Sequence, residues 1–537
     1  MNKTITCLLA TLLTLTHALA QTDADGVRTW DGGGRMQADI CVYGATSGGI
    51  TAALTAKRMG KSVILIEPSR RIGGLTAGGL GKTDLGRVEI IHGLAMDFYR
   101  RVGTIYGKAD AVFDFEPKVA LAAFEQMLRE DNLPVQMERR VIKVKKKGNR
   151  LREIVLEDAS QRHRKPLRIE AREFIDCSYE GDLMARAGVS YTVGREPNSQ
   201  YGETYNGMQM LDKHQFPDGV DPYREKGNPE SGLLWGIMEG DMGQTGQGDK
   251  RVQAYNFRIT MTNDPHNRIP ITRPENYDST RYELLVRWKE TDPWRSDKLR
   301  DCFAWDLMTN PTKTDINNNQ AFSTDMIGYS WDYPEASYKQ RERIFKEHLD
   351  YTKGLLWFVA SDPRVPAFVR RQIGEWGYPK DEYPESDHFT PQLYIRESRR
   401  MIGRYVMTQA NCQHEAVAND PVGWAAYTMD SHNCGRYVVN GMVKNCGDVQ
   451  IYLPKGKYNI SYRSITPQEH EAENLLVPFC LSASHIAFGS IRMEPVFMVL
   501  GQSAAIAAAL AIDRHEGCVQ RVSSLEVMEK FGSITGK

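Results

Sequence analysis

A short apolar run, Ile40-Cys41-Val42-Tyr43, leads directly into Gly44-Ala45-Thr46-Ser47-Gly48-Gly49, and small residues continue to a stop at Gly60. A second apolar run, Val63-Ile64-Leu65-Ile66, is closed by Glu67, 23 residues after Gly44. An apolar run of four bounded by glycine reads as a buried strand, Gly49 to Met59 reads as a helix, and the whole as a β-α-β unit. The glycine turn then places a helix N-terminus, with its free N–H groups and partial positive charge, at the end of the first strand, where a dinucleotide pyrophosphate binds. The spacing gives each residue a distinct role. Gly44 makes the tight turn, Ser47 and Gly48 open the helix beside the phosphates, Gly49 lets helix and strand pack closely, and Glu67 accepts from a ribose hydroxyl. Thr46 stands where the pattern has its middle glycine, and its hydroxyl is expected to donate to a phosphate oxygen instead.

The chain is long enough, at 537 residues, for two to four domains. Residues 1–20 have the pattern of a cleavable export signal: Lys3, an apolar stretch from Cys7 to Leu15, and Ala18-Leu19-Ala20 before the cut. A periplasmic or secreted protein starting near Gln21 is expected, with no membrane span. Residues 21–37 read as a flexible lead-in. The dinucleotide domain is expected over 38–200, where Val141 to Lys145, Glu153 to Leu156 and Glu173 to Cys177 form a small strand meander. Between Tyr201 and Tyr394 lie seven of the nine tryptophans and 14 of the 24 prolines, which marks 201–394 as a second, loop-rich substrate domain. Residues 395–515 return to the first domain and include an apolar helix from Pro495 to Ile512, followed by a tail over 516–537.

The 68 basic and 68 acidic side chains cancel, which argues against the net or clustered positive field that nucleic acid or an anionic membrane surface requires. Eight cysteines follow the export segment. Cys41 and Cys177 fall in strand-like runs and read as buried thiols, and Cys434 with Cys446 is the favoured pair for a disulfide. No CxxC, CxxCH or HExxH occurs, so no metal site is expected. Gly243-Gln244-Thr245-Gly246-Gln247-Gly248 lies in a polar loop and not after a strand, so a second dinucleotide domain is not expected either.

Arg70-Arg71-Ile72-Gly73-Gly74 follows Glu67 at once, and here the chain resembles the FAD-dependent oxidoreductases of the glutathione-reductase-like fold. More narrowly, it resembles a secreted bacterial family sometimes labelled xanthan-lyase-like. The resembling segments are Gly73 to Leu80, Phe174 to Leu183, Gly194-Arg195-Glu196, Lys313 to Asn318, Tyr394 to Arg400, Met429-Asp430-Ser431-His432 and Arg492-Met493-Glu494-Pro495. The resemblance implies an α/β fold: a Rossmann-like FAD-binding domain with a β-meander insertion, plus a mixed substrate domain. FAD is the implied cofactor. Arg71, Gly73 and Gly74 are implied as its second contact, and Glu180, Gly181 and Asp182 as polar backbone beside it. Met493 and Gly501, at the start and on the thin face of the last apolar helix, would approach the flavin.

A flavin dehydrogenase needs a base for the released proton, and neutral histidine suits that role near pH 7. His432 is the first candidate and His485 the second. His92, beside Gly93, is a candidate for a covalent flavin link. Arg400, with Arg396 and Arg399, is a candidate clamp for a carboxylate or an alkoxide. Lys313, Asp315, Asn317, Asn318 and Asp325 read as a polar loop able to hold a polyhydroxylated ligand, with Trp305 and Trp331 as sugar platforms. The expected reaction is hydride transfer to flavin N5 from a C–H next to an OH or NH of a small molecule or saccharide. Electrons would leave to oxygen or another carrier. Two alternatives stand beside it: a polysaccharide lyase that retains FAD and acts by β-elimination, and a non-catalytic carbohydrate-binding protein.

Overall fold

The structure, a computed structural model, describes residues 21–22, 28–29, 34–160, 164–295 and 301–535. The expected export segment lies outside them. A nine-stranded sheet organises the first domain. Eight of its strands are β1 (Gln21–Thr22), β2 (Arg28–Thr29), β3 (Gly34–Tyr43), β4 (Val63–Glu67), β5 (Val135–Met137), β6 (Arg139–Lys147), β7 (Arg150–Asp158) and β8 (Leu167–Asp176), in spatial order β1-β2-β5-β4-β3-β8-β7-β6. The central strands β2, β5, β4, β3 and β8 run parallel, and β6, β7 and the first part of β8 form the antiparallel meander. The lead-in is therefore partly strand. Only the last four residues of β3 are fully buried, which is why Gly34 to Gln37 read as loose chain.

The glycine turn opens helix α1 (Ser47–Arg58), and the segment after β4 carries a short helix α2 (Gly74–Ala77), α3 (Leu94–Ile105) and α4 (Pro117–Glu130). β8 is followed by α5 (Asp182–Arg186). Because β3 connects through α1 to β4 on one side while β8 pairs with it on the other, the C-terminal ends of β3 and β8 face a crevice where the winding reverses. That is where an open α/β sheet takes its ligand.

The second domain is built on an antiparallel sheet of β9 (Ile259–Thr262), β10 (Arg268–Pro270), β11 (Phe303–Leu307), β12 (Lys313–Asn318) and β13 (Gly377–Pro379), ordered β10-β13-β9-β12-β11. Across it lies α6 (Tyr338–Ser361), started by a capping box from Ser337 and Gln340. The expected polar loop at Lys313 to Asn318 is corrected here: it is β12, paired on both sides. Its charged residues tolerate burial because each is matched. Lys313 Nζ lies 2.9, 2.8 and 3.0 Å from Glu116, Asp381 and Glu382. Trp305 on β11 is core, with ring centroids 5.1 Å from Trp376 and 6.1 Å from Phe303, and is not a sugar platform.

The chain then returns through β14 (Met429–Ser431), β15 (Leu475–Leu476), α7 (His485–Ile491) and α8 (Glu494–Arg514). β15 joins the first sheet alongside β8. The return is not complete at residue 395, since Ile395 and Val443 still belong to the second domain's core. Among the described residues, α8 is the one helix long and apolar enough to cross a membrane, and its apolar stretch is buried inside the protein. Val527 and Phe531 of the expected tail also pack into the first core. All eight cysteines of the described chain are free; Cys434 N–H donates to the Cys446 carbonyl at 2.7 Å, so the expected pair are neighbours without a disulfide.

Candidate active site

The first part of the site is a cradle of backbone. Gly44 has φ +96°, and a Cβ there would stand 2.8 Å from the Cys177 carbonyl oxygen, so only glycine makes this turn. The Thr46 hydroxyl does not wait for a phosphate. It donates to the Cys177 carbonyl at 2.9 Å and accepts from Gly49 N–H at 3.2 Å, which caps α1 and ties it to the end of β8. Gly49 fits against the Gly44 carbonyl, as the spacing required. Gly48 and Gly501 act together. A Cβ on Gly501 would lie 2.1 Å from Gly48 O, and one on Gly48 would lie 2.4 Å from Phe497 O. They let α8 lie directly on α1, so Gly501 is a packing residue and not a cofactor contact.

Glu67 ends β4 as expected. Its two carboxylate oxygens accept from Ala45 N–H (2.9 Å) and Ser69 N–H (2.8 Å), and burial pushes its pKa up to about 7. Gly73 N–H donates to Ala45 O at 2.7 Å, which lays the Gly73-Gly74 turn beside the α1 turn. Gly74 abuts the Tyr179 hydroxyl, and Gly181 packs on Cys480. Three further residues expected at the cofactor look elsewhere. Arg71 donates to Ala77 O and Glu385 (2.7 Å each) and lies over the Tyr383 ring. Asp182 accepts from Arg341 at 2.8 Å and Arg399 at 2.9 Å, while Glu180 accepts from Tyr333 at 3.3 Å; these acids fasten the second domain to the first. Their spacing resembles a ligand contact because the same turn that ends β8 also begins the interface.

One side chain gathers the cradle. Glu494, in the first turn of α8 and only 4% exposed, accepts from Ser47 Oγ and Thr76 Oγ1 at 2.6 Å and from Tyr179 OH at 2.8 Å. Met493, its neighbour, is the buried N-cap of α8. Four segments far apart in sequence therefore meet at the mouth of the crevice: 44–49, 73–77, 176–182 and 493–495. Tight, glycine-lined backbone at two helix N-termini fits a dinucleotide pyrophosphate and its flavin.

The second part is a small cavity between the domains, lined by Tyr179, Tyr394, Ile395, Arg396, Phe479, Arg492 and Glu494 among others. Arg492 donates to Tyr394 OH at 2.8 Å and pairs with Asp430 at 3.1 Å; Arg396 pairs with Asp325 at 2.9 Å. The Nε atoms of both arginines are buried with no hydrogen-bond partner among the described residues. His432 stands one layer behind the cavity wall. Its Nδ1 is 2.9 Å from Asp325 and its Nε2 is 3.6 Å from Asp430. Burial and the Arg396 charge oppose its protonation, but Asp325 and Asp430 outweigh them and hold its pKa above the ordinary imidazole value. Asp430 is half-buried, yet His432, Arg492 and Arg396 keep it at about 2.

His485 and Arg400 belong to the frame. His485 Nδ1 meets Glu397 at 2.8 Å and its Nε2 meets Ser431 Oγ at 2.9 Å, so both ring nitrogens are engaged. Arg400 is spent on Glu196 (2.7 Å), Glu397 (3.1 Å), Ala483 O and Gly194 O. Of the three arginines in Tyr394 to Arg400, Arg396 is the one at the cavity. His92 packs edge-on against Trp424 and Phe531 and lines a different pocket.

The family model described as FAD dependent oxidoreductase matches residues 39–531. The chain belongs to this family. FAD is therefore its cofactor, and the crevice is the place whose residues fit it. No curated protein matches the chain. Solved flavoproteins resemble parts of it. A flavoprotein/dehydrogenase from Cytophaga hutchinsonii is 16% identical, over 30% of this chain and 43% of its own, with a TM-score of 0.23. A flavocytochrome c3 fumarate reductase is 17% identical over 30% and 43% (TM-score 0.22). A 3-ketosteroid-delta4-(5alpha)-dehydrogenase from Rhodococcus jostii RHA1 is 14% identical over 31% and 51% (TM-score 0.19). The match thus spans about half of each relative's own chain or less.

Glu494, Tyr179, Asp325 and Arg492 are the residues whose parts in the site do not show in the sequence. Asp325 reads there as one more member of a polar loop, and Glu494 looks like any acid in the first turn of a helix.

Proposed function

We propose that this FAD-dependent oxidoreductase is an exported dehydrogenase or oxidase that oxidises a C–H next to an OH or NH, with a saccharide as substrate class. The observation that carries the reading is the Asp325–His432–Asp430–Arg492 cluster, in which Arg492 lines the interdomain cavity opposite Glu494 and His432 stands one layer behind it. Bound FAD supplies an acceptor for the hydride of the substrate carbon. The protein supplies the rest. Arg396 and Arg492 present two buried guanidiniums with Nε–H groups to spare, which hold an oxygen substituent of the substrate by charge-assisted hydrogen bonds. Asp325 fixes the Nδ1–H tautomer of His432, leaving Nε2 as the acceptor of the proton. The aromatic side chains around the cavity exclude water.

A saccharide is supported by a wide groove bordered by both domains, where Tyr191, Tyr329 and Trp331 stand among Asp332, Glu335, Gln340 and Arg343. Aromatic faces beside hydrogen-bonding groups suit sugar rings. Export is supported by the pattern of residues 1–20. The test is anaerobic mixing of the FAD-loaded protein with sugars, uronic acids and amines. One class, expected to be a saccharide, bleaches the flavin band. A flavin that no member of the panel bleaches overturns the reading.

A further inference from the structure

Glu494 is placed unlike an ordinary first-turn acid. Such a residue is favoured by the helix dipole and normally faces water. This one is buried, and it spends its carboxylate on three side chains 447, 418 and 315 residues away. An ionised carboxylate taken from water is costly unless it is fully hydrogen-bonded, and here Ser47, Thr76 and Tyr179 all donate to it. Tyr179 OH in turn accepts from Leu75 N–H at 2.9 Å, so the chain of bonds runs on into the Gly73–Leu80 turn. Each donor sits on a different wall of the crevice: Ser47 at the start of α1, Thr76 in α2 and Tyr179 after β8. Glu494 also lines the cavity that holds Arg396 and Arg492.

We propose that Glu494 is the positioning residue of the FAD site, its carboxylate fixing the α1 N-terminus, the Gly73–Leu80 turn and the turn after β8 in register before FAD arrives. It acts through Ser47, Thr76 and Tyr179 and not by touching the reacting atoms. Preorganisation of this kind raises cofactor affinity because the ordering cost has already been met in the apo-protein. This rests on the crevice being the seat of FAD.

The test is FAD titration of the apo-protein, read by quenching of flavin fluorescence, with the visible spectrum of the bound flavin and the melting temperature of the apo form recorded alongside. Glu494→Gln keeps the volume but accepts fewer hydrogen bonds. It is expected to weaken FAD binding at least about tenfold, the value of a hydrogen bond to a charged group, with the apo melting temperature unchanged. Ser47→Ala and Thr76→Ala each weaken binding, and in combination with Glu494→Gln they cost less than the sum, as groups acting through one partner do. Glu494→Gln with wild-type affinity and spectrum overturns the proposal, as does a loss of FAD that simply follows a lowered apo melting temperature. Should Glu494→Gln not fold, Tyr179→Phe removes a single donor; unchanged affinity and spectrum in that variant overturn the proposal equally. A Gly49→Val protein that binds FAD as wild type instead refutes the placement of the cofactor in the crevice, whatever Glu494 does.

Discussion

His432 and its two carboxylates allow a prediction in which the sign can be worked out. A base must be unprotonated to act, and Asp325 and Asp430 favour its protonated form, so activity rises with pH through a value above the ~6.5 of free imidazole. Asp325→Asn removes the larger of the two carboxylate contributions, and the acid limb of the kcat profile moves to lower pH. His432→Gln abolishes that limb and lowers kcat about 10²–10⁴-fold, the usual range for a lost general base. A limb that stays in place in Asp325→Asn assigns the titration to another group. The histidine itself is recognisable beside Asp430 in sequence. Its partner Asp325 is not, because 107 residues and a change of domain separate them.

Among the elements, the contact of α8 with α1 carries the crevice. Helix axes come this close only where backbone meets backbone, and Gly48 and Gly501 supply the room. Thr51 adds a hydrogen bond across the contact, its hydroxyl donating to the Met498 carbonyl at 2.7 Å. Gly501→Val would force the helices apart, draw Glu494 from Ser47, and cost about 3 kcal/mol in urea unfolding, at the upper end of overpacking penalties. Loss of bound FAD should accompany it. A variant of wild-type stability and flavin content would show that the contact yields more easily than its geometry implies. The β-α-β unit and the long apolar helix are legible in sequence because apolar period and glycine position are local properties. β12 is not, since a run of Lys, Thr, Asp and Asn carries no mark of the distant Glu116, Arg258, Asp381 and Glu382 that neutralise it.

Across the whole molecule, the two domains are joined by buried charge as well as by apolar surface. Asp182, at the start of α5, holds Arg341 of α6 and Arg399 of the returning chain. Asp182→Asn leaves the buried Arg341 without its anion and Arg399 with Glu335 alone, and is expected to cost about 3–5 kcal/mol. Limited proteolysis should then open the second domain first, while the FAD content of the intact protein is unchanged. Loss of FAD without loss of stability would return Asp182 to the cofactor. The dinucleotide crevice is written in the local sequence, since a strand, a glycine turn, a helix and a closing acid lie within one short stretch and obey local geometry. So is the interruption of the first domain by a second, through the shift in tryptophan, proline and glycine. Which polar residues face the cavity and which are spent on holding the frame is settled only by folding. Arg396 and Arg400 differ by four positions and have identical chemistry, yet one reaches the cavity and the other is consumed by Glu196 and Glu397. That choice depends on partners brought near in three dimensions, and no local pattern encodes them.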